Sequence, residues 1–76
     1  MTKTRRKKLS VLNGQLEEIT DSLREILSEE EDARDNTPES LQDTNAYIER
    51  EEACDSMETA VGCLEDAINA IDEAMK

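Results

Sequence analysis

The chain has 76 residues, a formal net charge of −11, a single aromatic residue and no histidine. So short a chain makes one small domain with a thin aliphatic core, and the missing histidine removes the usual general base and the commonest transition-metal ligand. No segment approaches the ~20 apolar residues that cross a bilayer, so no membrane partner is expected.

Residues 1–8 form a basic N-terminal segment in which Lys3, Arg5, Arg6, Lys7 and Lys8 supply five of the nine positive charges. From Leu9 onward the balance is four positive against twenty negative, or −16. Such a surface repels nucleic acid and attracts basic partners. The basic cluster is the one feature suited to holding a phosphate-bearing ligand. As an isolated motif it is a weak signal. It reads more simply as neutralising the acidic end of the second helix, or as a tail. Polar residues from Ser10 onward interrupt what would otherwise be the apolar stretch of a leader, so a cytoplasmic protein is expected.

Helix A is predicted over residues 9–34. Leu9, Leu12, Leu16, Ile19, Leu23 and Ile26 step by three and four, placing them alternately at positions a and d of a heptad. The count continues to Glu30 at a and Ala33 at d. Residues 35–43 read as a connector with a short helical turn from Pro38 to Gln42 anchored by Leu41, and Asp43 or Thr44 as the cap of the second long helix.

Helix B is predicted over residues 44–75. Tyr47, Cys54, Val61, Ile68 and Met75 fall at a; Arg50, Met57, Leu64 and Ile71 fall at d. Ala46, Ala53, Ala60, Ala67 and Ala74 recur at g, where small side chains let another helix approach closely. They are the expected oligomer interface. Glu51, Glu58, Glu65 and Asp72 occupy every e position on the other flank, as a candidate acidic binding face or a solvating one. Cys54 falls on the seam as a small buried hydrophobe and Cys63 faces outward. Nine residues, or ~13 Å along a helix, separate them, too far for a disulfide within it.

Two helices of similar length joined by a short connection make an all-α antiparallel hairpin. Its seam is too thin for a robust monomer, so a homodimeric four-helix bundle or a higher helical oligomer is expected. Antiparallel pairing brings together Glu30 and Arg50, the charges that interrupt the two seams, as a structural ion pair that sets register.

The acidic run Glu29–Asp32 lacks the spacing and glycine of a calcium loop. No nucleophile motif or phosphate-cradling loop is present. No catalytic residue, metal or cofactor is expected, and the chain reads as a binding protein, not an enzyme.

The stretch from Glu29 to Gln42, with Asn36, Pro38, Glu39, Leu41 and Gln42 at its core, resembles a motif of small phage and mobile-element helical proteins of Gram-positive and gut bacteria. The sequence departs from that pattern in having fewer aromatics before Asn36. The resemblance implies a helical hairpin of phage-related origin and carries no activity. Three functions are compatible with these features. One is an acidic mimic that occludes a basic bacterial defence or regulatory protein. Another is an oligomer that sequesters a nucleotide signal among its arginines. The third is a structural scaffold or virion accessory.

Overall fold

A computed structural model describes all of residues 1–76. Helix α1 runs Lys3–Asp35, a single 3-10 turn spans Glu39–Leu41, and helix α2 runs Asn45–Met75. The two helices pack along their whole length into a rod of 59 × 15 × 14 Å.

Capping fixes where each helix begins. The Thr2 hydroxyl accepts from the Arg5 amide at 3.2 Å, so α1 starts at Lys3 and the basic residues form its first two turns, not a segment ahead of it. Thr44 does the same for α2, accepting from the Tyr47 amide at 3.3 Å. Its hydroxyl also donates to the Leu41 carbonyl at 2.7 Å, tying the cap to the turn before it.

The end of α1 needs no glycine. The Asn36 amide donates to the Asp32 carbonyl at 3.0 Å, and the Thr37 amide and hydroxyl donate to Arg34 and Ala33. Pro38, with ψ at 144°, prevents the helix from continuing. The connector turn is shorter than its sequence suggests. Leu41 stays half exposed and does not anchor it.

Helix α2 meets its partner with the expected positions: Cys54 and Val61 are buried, and Tyr47, Met57, Leu64, Ile68 and Ile71 are half buried. Helix α1 does not. Its contact face follows Leu9, Asn13, Leu16, Thr20, Leu23, Leu27, Glu30 and Arg34, in alternating steps of four and three. Leu12, Ile19 and Ile26, expected in the seam, lie 50–54% exposed, while Asn13, Thr20 and Leu27 are buried in their stead. Position e has replaced position d.

The physical reason lies in the residues common to both stripes. Leu9, Leu16 and Leu23 belong to either, and α2 can rest against only one flank of them. On the flank it takes, Asn13 reaches hydrogen-bond partners on α2 and Leu27 joins the core. Thr20 satisfies its own hydroxyl by donating to the Leu16 carbonyl at 2.7 Å, so it can be buried without a partner across the interface.

The core is correspondingly thin: Leu27, Cys54 and Val61, with Leu23 and Met57 packed against them. Leu27→Ala is expected to cost about 2–5 kcal/mol, enough to abolish the folded hairpin at body temperature. Gly14 and Gly62 sit mid-helix, where an added Cβ meets nothing within 4 Å. Gly14→Ala and Gly62→Ala should each raise stability by about 0.5–1 kcal/mol in urea melts.

Candidate functional site

The rod has two broad faces. On one, Glu17, Thr20 and Arg24 of α1 meet Glu65, Ile68 and Asn69 of α2 along a shallow polar groove. On the other, Ala33 of α1 faces Ala46, Tyr47 and Arg50 of α2. Heptad spacing places Leu12, Ile19 and Ile26 on that second face with Ala33, and the remaining alanines with Ala46. One face is therefore polar and acidic, the other apolar.

The acidic row of α2 borders the polar face, and it is not uniform. Glu65 forms an ion pair with Arg24 of α1. Asp72 accepts a hydrogen bond from Asn13 Nδ2 at 2.9 Å. Glu51 and Glu58 have neither an ion pair nor a hydrogen bond and stand exposed. Of the four regularly spaced carboxylates, two are engaged by α1 and two are unpaired.

Asn13 was not singled out by the sequence, yet it is the main polar contact between the helices. Its Nδ2 donates to the Ile68 carbonyl at 3.1 Å as well as to Asp72, while its Oδ1 is buried without a partner. A lone amide inside a helical seam restricts register at a cost in stability. The signal was its place four residues after Leu9 and three before Leu16, on the flank that a run of leucines conceals.

At the connected end Glu30 and Arg50 meet as expected, with Nε to Oε1 at 3.7 Å and both side chains more than a third exposed. Exposed pairs contribute about 0–1 kcal/mol, so this one adds little to stability. Nearby, Arg34 lies between Glu31 at 3.9 Å and Asp35 at 3.1 Å. The hydrogen bond to Asp35 raises its already high pKa further.

None of Lys3, Arg5, Arg6, Lys7 and Lys8 forms an ion pair, and all are exposed. Of the carboxylates expected to neutralise them, Asp72 is engaged by Asn13 and Glu73 by Lys76 at 2.9 Å, while Asp66 pairs with none of the five. The five cations line one helix and converge on nothing within the chain. A hollow beside them, walled by Thr4, Lys7, Lys8, Val11, Leu12 and Gln15, belongs to a single helix surface with no opposing wall.

Charge is strongly polarised along the rod. The connected half, residues 20–60, carries fourteen carboxylates and three arginines, a balance of −11. The open half has six charges of each sign and is neutral.

No three acidic or thiol groups cluster as a metal site would require, and no helix is long and apolar enough to cross a membrane. The chain matches no family model, no curated protein and no solved structure.

The two cysteines separate as their heptad positions imply: Cys54 is fully buried and Cys63 exposed. Burial pushes the Cys54 thiol up from its ordinary pKa, with Arg34 opposing in part. The native state thus favours the neutral thiol. That contribution is complete below the unfolded thiol's pKa and is lost as pH rises through the raised folded value. Above about pH 9 the protein should lose stability more steeply than its Cys54→Ala variant. A thiol reagent should modify Cys63 at once and Cys54 only on unfolding.

Proposed function

We propose that the protein acts by binding and not by catalysis, as a self-associating acidic hairpin that occupies a basic surface on another bacterial protein. The observation that carries this reading is the polarised charge: the whole excess of −11 lies in one half of a rigid rod. Along that half, Glu51 and Glu58 recur at a spacing of ~10.5 Å on a helix. Fixed carboxylates along a narrow rod imitate a phosphate backbone, and a basic partner used to nucleic acid is the chemistry that answers them. The absence of any concave site lined by convergent polar groups favours the same reading.

Self-association is part of the proposal. Only five of 76 residues are buried, three of them hydrophobic, which is little to hold a folded domain. The alanines at 46, 53, 60, 67 and 74 lie along the apolar face, where a second copy would cover them. The resemblance of residues 29–42 to phage and mobile-element proteins supports a role inside a bacterial cell against a defence or regulatory factor. The rival role, sequestering a nucleotide among Arg5, Arg6, Lys7 and Lys8, has no pocket to recommend it within the chain.

Binding of this kind is electrostatic and falls steeply with salt. Immobilised protein should retain a basic bacterial protein at low ionic strength, release it in roughly 0.5 M salt, and lose it to competing duplex DNA. Glu51→Lys with Glu58→Lys should weaken retention at least tenfold. Retention unaffected by salt, DNA and the double reversal would contradict mimicry.

A further inference from the structure

The hairpin buries Asn13 and Thr20 between its helices and leaves Leu12, Ile19 and Ile26 to water. This ordering reverses what solvent imposes on a lone domain, since branched aliphatics gain most from burial and an amide least. A second layer of helices over the apolar face restores the usual order. We infer that this layer is a second copy of the chain turned end for end, so that α1 packs on α1 and α2 on α2 in an antiparallel four-helix dimer. The inference rests on the self-association proposed above and specifies its geometry.

Two stripes are self-complementary about nearly the same height. On α1, a two-fold axis between Ser22 and Leu23 sets Ile19 against Ile26 of the second copy, and Leu12 against Ala33. On α2, an axis at Ala60 sets Ala53 against Ala67 and Ala46 against Ala74. The cross-links within the hairpin, Glu30 to Arg50 and Asn13 to Ile68, place these two centres within one helical turn of each other along the rod. A single axis therefore serves both stripes. The face measures some 59 by 15 Å, comparable to the ~800 Å² per partner of a standard interface.

Charge chooses between this arrangement and its parallel alternative. In a parallel dimer the two halves bearing −11 would lie side by side, and the unpaired cations would gather at the other end. Turned end for end, each neutral half lies along the acidic half of the other copy. Arg5 and Lys8 then reach the level of the connector, where Asp35 and Glu39 supply carboxylates. Arg5 and Lys8, which find no partner within the chain, find one across the axis. The arginines are thereby separated by the length of the rod, which removes the converging anion pocket. The two polar faces, each with its own Glu51 and Glu58, point outward in opposite directions. The dimer is a bivalent acidic binder.

The test needs no altered residue. A zero-length carbodiimide joins lysine amines to carboxylates in contact, and mixing unlabelled with 15N-labelled protein marks links between copies. Within one chain Lys8 and Asp35 lie ~40 Å apart, so a link between them has to cross copies. The expected result is mixed-isotope links from Lys7 or Lys8 to Asp35 or Glu39. Mixed-isotope links confined to Asp66, Asp72 and Glu73 would overturn the antiparallel geometry while leaving self-association intact. No mixed-isotope link at all, with a monomer mass in solution, would overturn both. A charge pairing gives an independent readout on side chains exposed in the single hairpin. Ile19→Glu with Ile26→Glu should reduce dimer affinity at least a hundredfold. Ile19→Lys with Ile26→Glu should recover at least tenfold of that loss, because each lysine faces a glutamate of the other copy. Equal loss in both variants would also overturn the antiparallel geometry.

Discussion

Two helices meet along one line, and α1 offers two flanks for that contact. Leu9, Leu16 and Leu23 run down the middle, with Leu12, Ile19 and Ile26 on one flank and Asn13, Thr20 and Leu27 on the other. Because α2 rests on the second flank, the first is left open along the rod. The polar face, the apolar face, the engagement of Asp72 and Glu65, and the isolation of the basic turns all stem from that rotation of α1 by less than a quarter turn. Had α2 taken the aliphatic flank, Asn13 would be solvated and no stripe of branched side chains would remain for a partner.

Much of this was legible in the residues. The two long helices, the break at Pro38, a cap at Asp43 or Thr44, the a and d positions of α2, the contrast between Cys54 and Cys63, and the Glu30–Arg50 pair all arise from local chemistry and period. The contact face of α1 did not. Spacing by three and four fits both flanks equally once the shared leucines are counted, and preferring the flank richer in Leu and Ile assumes that all apolar residues serve one interface. The deciding contacts, Asn13 to Ile68 and Asp72, join residues more than fifty positions apart, and no local pattern records them. The divided state of the acidic row was hidden for the same reason: Arg24 and Asn13 had to be placed before Glu65 and Asp72 could be seen as engaged.

The same division connects stability to function. Polar groups link the helices at Asn13 and at Glu30–Arg50, where they add little stabilising free energy. On the proposed dimer, the opposite face supplies further hydrophobic stabilisation and couples folding to association. The acidic excess sits on the half of the rod farthest from the basic turns of residues 3–8. A chain built this way has reason to associate end for end and to leave Glu51 and Glu58 turned outward.

The central claim is that the open aliphatic flank of α1 is an interface, so that the hairpin is stable only in company. Thermal unfolding followed across a hundredfold range of protein concentration, with the mass measured by sedimentation equilibrium at each, tests it most directly. Linkage predicts a single cooperative transition whose midpoint rises with concentration, and a native mass of twice 8.6 kDa. A helical, cooperatively melting species of 8.6 kDa with a midpoint independent of concentration would contradict the account.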